Sequence, residues 1–579
     1  MAVSTSCQRR LGLSGMNSGR RKLLIALSLL LVMASLYMYL KMTESLNTPG
    51  SDSNKNLRQT SREFTNKPNS AEERSGHPTD QLVSAERSGH PTSDQLVNAG
   101  KKQQPNIVFI LADDYGYSDI GYHGSVIKTP VLDRLAAEGV KLNNYYVQPI
   151  CTPTRTQLMT GRYQIHTGFQ HAVLEPQMPS CLPLDEITIA QKLKEAGYST
   201  HIVGKWHLGF YKKACWPTRR GFDTFFGFLE GSGTYFSHMR NSYYDFRDQE
   251  DVAWQYKGQY STHLFAKRAQ EIITKKDKDK PFFLFVSMQA VHIPLQVPDS
   301  YVHQYEHIIS SKPRQKYAAM TTCMDEAVGN ITRTLEELSL WNNTLLIFST
   351  DNGGAPEAGA FNWPLRGRKK SLWEGGIRGI GFVHSPLLDH HVRGTESNQL
   401  IHVSDWFPTI VSGLAGGSLN GTKPLDGYNL WDSIRSGTPS PRQEILHNID
   451  PFEGHGHRPF SHSLYNNFTF TPSMRAAVRV GDWKLLTGPV GDGHWTPPPE
   501  SGKATIRSKL KPHQNVWLFN VKTDPNEEND MSEERPDILQ RLMDRLQEYY
   551  STSVPVIYPE SDKRGHPKKI GVNYWTNWM

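Results

Sequence analysis

Four short apolar runs, each ending directly in chemically active residues, set the tightest limit on what this chain can fold into. Ile107 to Ala112 (IVFILA) leads into Asp113 and Asp114, and Thr344 to Thr350 (TLLIFST) leads into Asp351 and Asn352. Tyr198 to Val203 feeds Gly204, Lys205 and His207, while Phe282 to Met288 (FFLFVSM) feeds a loop carrying His292. Short apolar runs separated by amphipathic stretches predict a large, mostly parallel sheet covered by helices, an α/β fold. In an open sheet of that kind ligands bind at the carboxyl ends of the strands, so these polar groups are expected to converge on one site.

The rest of the chain is organised around that sheet. With 579 residues there is room for one large domain, 105–430, and a smaller one, 431–579. In the latter, RAAVRVGDWKLLTG and VWLFNV read as strands and Arg535 to Tyr550 as an amphipathic helix, which suggests a small antiparallel sheet with one helix. At the other end, the basic tail 1–22 (Arg9, Arg10, Arg20, Arg21, Lys22) precedes an uncharged apolar segment, 23–40. That segment is about 27 Å long as a helix and reads as a type II signal anchor, which would put everything after Lys41 in the lumen of the secretory pathway. Cleavage after Ala34 as a signal peptide is the alternative, and would give a secreted protein. Residues 41–104, polar and carrying the near-duplicate SAEERSGHPTDQLV and SAERSGHPTSDQLV, read as a flexible stalk. Part of the net charge of +7 comes from the N-terminal tail, so no nucleic-acid partner is expected. Sequons at Asn330, Asn342, Asn420 and Asn467 suit a luminal protein.

Cysteine usage singles out one residue. Of the five, Cys7 would be cytosolic, Cys323 sits in a helical-looking stretch and packs as a small apolar residue, and Cys181 and Cys215 lie in polar connecting segments and could bridge. Cys151 is left unpaired. It opens the segment CTPTRTQLMTGR, where Thr152 can cap a helix and Pro153 suits its first turn, so that residue 151 would sit at the positive end, which favours anions. A buried structural cysteine or an ordinary thiol nucleophile is the plainer alternative, since C-x-P-x-R is a short motif.

CTPTR followed by GRYQIHTG, together with LADDYG, VGKWHLG, STDNGG and PLRGRKKSLWEGG, resembles the sulfatase family, and within it the group of arylsulfatase B (N-acetylgalactosamine-4-sulfatase) with arylsulfatases I and J. The similarity runs from about Asn106 through HNIDP, RAAVRVGDWKLLTG and VWLFNV. The resemblance implies an alkaline-phosphatase-like fold and hydrolysis of sulfate esters, of an aryl alcohol or of a carbohydrate such as 4-sulfated N-acetylgalactosamine in chondroitin or dermatan chains. It also implies that a formylglycine-generating enzyme oxidises Cys151 to formylglycine, whose hydrate carries two hydroxyls on one carbon. One hydroxyl attacks sulfur and the other expels sulfate, an exit that a plain alcohol lacks. Thr154, where the family usually has serine, is a departure that bears on the efficiency of that modification.

The same resemblance implies one Ca²⁺ held by Asp113, Asp114, Asp351, Asn352 and the modified residue 151. The donor set supports this independently, because oxygen ligands suit a hard cation rather than zinc. Arg155, Lys205 and Lys369 match the family's anion-binding cations; with a divalent ion they set +5 against −3 from the three aspartates, a surplus that favours an anionic substrate. His292 is implied to donate a proton to the leaving alcohol, and His207 to anchor and deprotonate the modified residue 151. His201, His263 and His402 read as structural, and Arg366, Arg368 and Lys370 as solvated charges or as holders of a polymer. A phosphate or phosphonate hydrolase of the same superfamily, or a non-catalytic binder of sulfated glycans with Cys151 unmodified, are the competing functions. The expected luminal compartments are the endoplasmic reticulum and Golgi, or the lysosome.

Overall fold

The computed structural model describes residues 104–452, 468–508 and 514–579. The basic tail, the apolar segment 23–40, the expected stalk and Asn467 lie outside the described residues. Among the described residues no helix is long and apolar enough to cross a membrane.

Burial on both faces explains why the central runs are continuous rather than alternating. In β1 (Asn106–Ala112) every residue is buried: Val108, Ile110 and Ala112 belong to one core, Ile107, Phe109 and Leu111 to a second core on the opposite face. β2 (Ser199–Lys205), β3 (Phe282–Ser287) and β4 (Thr344–Thr350) run parallel to it, with β3 and β4 flanking β1 and β2 beyond β3. The observed β2 reaches two residues further than Val203 and takes in Gly204 and Lys205. Gly204 is required there: its φ is +109°, and a Cβ would lie 1.9 Å from the Ser287 carbonyl oxygen on β3. Ten strands make up the whole sheet. Strand 224–228 extends the parallel part beyond β2, and antiparallel partners at 381–384 and 247–248 begin the two edges.

Helices cover both faces. α1 (Cys151–Thr160) sends Leu158 and Met159 into the second core, whereas α2 (Ser261–Thr274) and α3 (Lys312–Glu337) pack against the first. Cys323 is buried within α3, as its apolar setting in the sequence suggested. Cys181 and Cys215 form a disulfide, with Cα atoms 6.0 Å apart. Asn342 and Asn420 are exposed, and Asn330 is half-buried in α3, its amide oxygen accepting from Arg333.

A second, four-stranded antiparallel sheet comprises β5 (Glu444–Asp450), β6 (Arg475–Val480), β7 (Trp483–Thr487) and β8 (Val516–Asn520), in that order. One face is covered by α4 (Pro536–Ser551), whose Leu539, Leu542, Met543 and Leu546 meet Leu446, Val478, Leu485 and Leu518. The other face, with Ala477, Leu486, Trp517 and Phe519, packs on Leu372, Trp373 and Ile377. The smaller sheet therefore braces the loop that follows Lys369.

Candidate active site

Each strand end delivers what its sequence promised. Asp113 and Asp114 follow β1, Lys205 closes β2 with His207 just beyond, His292 lies in the loop after β3, and Asp351 and Asn352 follow β4. Cys151 is the first residue of α1, so it sits at the helix end where free N–H groups and the macrodipole are positive. The expected cap is different, however. Ile150, in extended conformation, precedes the helix without a side-chain cap, and the Thr152 hydroxyl instead donates to the His207 carbonyl at 3.3 Å and accepts from Leu174 N–H at 3.2 Å. Thr152 is fully buried, so a tertiary partner has displaced the local one.

Carboxylates and cations are matched one to one in a water-poor setting. Lys205 Nζ donates to Asp113 Oδ2 at 2.6 Å, Arg155 Nη2 to Asp351 Oδ2 at 2.9 Å, and Lys369 Nζ lies 2.6 Å from Asp114 Oδ1. Arg155 is also held by the Ser287 hydroxyl, 2.6 Å from Nη1. Thr154 makes use of its hydroxyl in the position where serine was expected: Oγ1 donates to the Asp351 carbonyl at 2.6 Å and accepts from Gln148 N–H at 2.9 Å, tying α1 to the end of β4. The Cys151 Sγ lies 3.6 Å from Asp113 Oδ1. Burial pushes the Cys151 thiol well above its ordinary range, outweighing the pull of Lys205, so an unmodified thiol here stays protonated and is a poor nucleophile.

Both histidines are kept neutral. Burial lowers His292 to about 4 against the opposing pull of Asp114, whose Oδ2 lies 3.6 Å from Nε2. Burial, then Lys205 and Arg155, hold His207 well below its usual value. His207 Nε2 is 3.1 Å from the Leu174 carbonyl and so carries the proton, leaving Nδ1 buried and without a partner among the described residues. Gly231 packs against this ring; a Cβ there would sit 2.5 Å from Nε2.

The arrangement could hold a divalent metal ion. Ligand atoms of Asp113, Asp114, Cys151 and His292 lie within 4.8 Å of one another. Asn352 gives its amide N–H to Asp114 Oδ1 at 2.8 Å, while its own Oδ1 is buried with no partner, an orphaned oxygen that a cation would satisfy. Asp351 accepts from Arg155 and, at 3.2 Å, from Asp114 N–H. Burial raises the Asp114 carboxyl, but Lys369, His292 and the Asn352 amide together outweigh it and keep it ionised.

Above these groups opens a cavity of about 430 Å³ whose walls include residues with no motif to announce them: Glu175, Ser232, Arg240, Ile293 and Glu357. Ser287 was also missed, although a polar residue closing an apolar strand was the available signal. A larger hollow of about 780 Å³, near Asn106 and Pro281, lies at the opposite end of the strands, away from this chemistry. Arg366 corrects an expectation: it is 5% exposed, with its guanidinium 3.6 Å from the Trp373 ring centroid and bonds to the Gly493 and Glu527 carbonyls. Arg368 pairs with Glu357, and Lys370 is exposed at the cavity edge. Of the histidines read as structural, His402 is fully buried against Ser404, His201 contacts Thr224, and His263 is exposed beside Cys323.

Paired cations and carboxylates at the carboxyl ends of a parallel sheet, with a buried cysteine at a helix N-terminus, form a site suited to the hydrolysis of anionic esters. Comparison with known proteins narrows this. Residues 105–416 match the sulfatase family model. Arylsulfatase J of Mus musculus is 49% identical over 490 residues, covering 82% of this chain and 80% of its own. N-acetylgalactosamine-6-sulfatase of Homo sapiens is 32% identical over 362 residues, 58% of this chain and 67% of its own. Among solved structures, Ps i-CgsB in complex with k-i-k-neocarrahexaose superposes with a TM-score of 0.66 at 29% identity, covering 80% of this chain and 96% of that one. The chain belongs to the sulfatase family, and its reaction is sulfate-ester hydrolysis.

Proposed function

We propose that the protein removes sulfate from a sulfated sugar, with formylglycine at position 151 and one Ca²⁺ beside it. The observation that carries this reading is the position of Cys151: buried at a helix N-terminus, 3.6 Å from Asp113, with Lys205 and Lys369 near and its own thiol chemistry suppressed. A formylglycine hydrate would supply the attacking hydroxyl and the exit for sulfate that the thiol cannot. Asp113, Asp114, Asp351 and Asn352 would hold the ion, which supplies Lewis-acid polarisation of sulfate oxygens.

The chain's own residues do the rest. Lys205, Lys369 and Arg155 neutralise the sulfate and orient it. His292 Nε2 faces the cavity and is neutral when the site is without substrate; an anionic ester beside it favours the imidazolium, which then protonates the leaving alcohol. His207 Nδ1, the unpartnered nitrogen, is the acceptor for a proton from residue 151. The Cys181–Cys215 disulfide and the exposed Asn342 and Asn420 sequons support maturation in the secretory lumen, where the formylglycine-generating enzyme would act.

The preferred substrate is N-acetylgalactosamine 4-sulfate in chondroitin or dermatan chains. The relative acting on N-acetylgalactosamine 6-sulfate makes the 6-position the competing reading. Mass spectrometry of the peptide around residue 151 tests the modification: formylglycine is lighter than cysteine and takes up aldehyde reagents, and an intact thiol in active material sinks the mechanism. Turnover of matched 4- and 6-sulfated sugars decides the position, and faster cleavage of a phosphate than of a sulfate ester of one aryl alcohol would reverse the reaction class.

A further inference from the structure

A second cleft, about 260 Å³, adjoins the catalytic cavity, and the two share Ile150, Val173, Glu175 and Lys370 as a common wall. Sulfate-ester chemistry makes no use of it, since Cys151, Lys369, His207 and His292 all line the first cavity. Beyond the shared wall the second cleft is bordered by His171, Tyr558 and Arg475. Its polar and aromatic lining is of the kind that takes a sugar ring.

Lys370 stands on the ridge between the two. Its backbone is fixed in the left-handed region, φ +73°, by its N–H donating to the Pro149 carbonyl at 2.7 Å and its own carbonyl accepting from Arg475 Nη2 at 2.5 Å. Its neighbour Lys369 is committed to Asp114, whereas Lys370 is exposed and has no ion-pair partner among the described residues. Glu175 is the carboxylate among the described residues of the cleft wall, and it lies 3.6 Å from Arg240. The aromatic side is fixed as well: the His171 and Tyr558 rings meet edge to face at 4.8 Å, and His171 Nδ1 lies 2.9 Å from Asp450. The cleft thus combines an unpaired cation at its entrance with a rigid ring platform inside.

We infer that this cleft binds the sugar unit next to the sulfated one, and that Lys370 pairs with an anionic group, carboxylate or sulfate, on that neighbouring unit. This rests on the sulfate-ester reading above and deepens it: the substrate is an anionic oligosaccharide rather than an isolated sulfated ring. Lys370 selects by charge, and the His171–Tyr558 platform selects for the presence of a second ring of any charge.

The full chain is assayed on one sulfated monosaccharide and on the same ring linked to a neutral sugar, to a uronic acid or to a second sulfated sugar. The expected order of kcat/KM is anionic disaccharides, then neutral disaccharide, then monosaccharide, the charge step being about five-fold, the upper size for an exposed ion pair. Comparison of the uronic and sulfated neighbours tells which anion Lys370 takes. Lys370→Ala removes the anionic preference through KM and Lys370→Glu inverts it, whereas His171→Ala brings both neutral and anionic disaccharides toward the monosaccharide. A wild-type chain that handles monosaccharide and disaccharides alike, or a Lys370→Glu chain that keeps the anionic preference, overturns the inference. If no probe loses sulfate, the sulfate-ester reading falls, and calorimetry of the same saccharides with the Cys151→Ala chain still decides the cleft: equal affinity for neutral and anionic disaccharides overturns it.

Discussion

Replacing Lys205 by Met keeps the reach of the side chain and removes its charge at the most enclosed point of the site. Lys205 and Asp113 are both fully buried with 2.6 Å between Nζ and Oδ2. Breaking such a pair from one side costs about 3–5 kcal/mol, because the other charge stays buried. Arg155, 3.8 Å from the same oxygen, compensates in part, which puts the expected loss near 3 kcal/mol, roughly the lower bound. At about 2.1 cal/mol/K per residue over the described residues 104–452, 468–508 and 514–579, the unfolding entropy is roughly 1 kcal/mol/K, so the melting temperature should fall by about 3 °C. That figure applies to protein stripped of divalent ions with EDTA. If the aspartates hold Ca²⁺, saturating Ca²⁺ returns positive charge to Asp113 and closes most of the gap, while stabilising wild type as well, by about 2.7 kcal/mol at a hundred times its Kd. Scanning calorimetry of both proteins with EDTA and with Ca²⁺ reads all four values. Equal melting temperatures for variant and wild type in EDTA would refute the ion-pair argument, and the absence of a Ca²⁺ shift in either protein would refute the metal assignment.

Four further outcomes can be checked separately. The double change Cys181→Ser with Cys215→Ser opens a loop spanning 34 residues and should cost about 4 kcal/mol of stability by chain entropy, measured by denaturant unfolding. Burial pushes His201 down to about 4, so between its unfolded value of about 6.5 and pH 4 the unfolded chain binds the extra proton; stability is full above pH 6.5 and declines as pH falls, and His201→Asn should flatten that decline by up to about 3 kcal/mol in unfolding titrations. Thr154→Ser should leave stability near wild type, whereas Thr154→Val strands the buried Asp351 carbonyl and Gln148 N–H at about 1–3 kcal/mol each, seen as a lower denaturation midpoint. Lys484→Met leaves Glu374 and Glu527, each 2.8 Å from the lost ammonium, buried without their shared cation; a loss of about 3–5 kcal/mol is expected, with sulfate release falling as the Lys369 loop loosens, and full activity in a destabilised variant would show that the loop is held by other contacts.

The central strands and the residues that follow them were legible because both signals are local: a strand buried on two faces must be apolar throughout, and acids just after such a run have few structural uses. Cys151 stood out by the same kind of elimination among five cysteines. What could not be read depended on partners far along the chain. Thr152 offered a good cap, but the His207 carbonyl, 55 residues away, took its hydroxyl. Arg366 sits in a basic run that looks solvated, yet its neighbours in space are Trp373 and carbonyls 127 and 161 residues later. The strand at Glu444–Asp450 was missed because it includes His447, Asn448 and Asp450, polar residues that are buried rather than exposed, beside Tyr146, Gln170 and His171 respectively.

Floor and walls of the site differ in how tightly they are paired and buried, and this division bears on where specificity arises. The floor consists of three ion pairs and Asn352, all on strand ends, on α1 or on the loop of Lys369, and would serve any sulfate ester. The walls, Glu175, Arg240, Ile293, Glu357 and Lys370, come from four separate stretches of chain, with Glu357 and Lys370 both in the connection that follows β4. Lys369 and Lys370 adjoin both regions, and their loop is anchored by Trp373, which packs against Trp517 and Phe519 of β8, and by Glu374, which reaches Lys484 of β7. The smaller sheet thus fixes one cation of the floor and one of the wall at the same time. Sequence changes on that sheet can therefore alter which sulfate ester is accepted without touching the ion pairs of the floor.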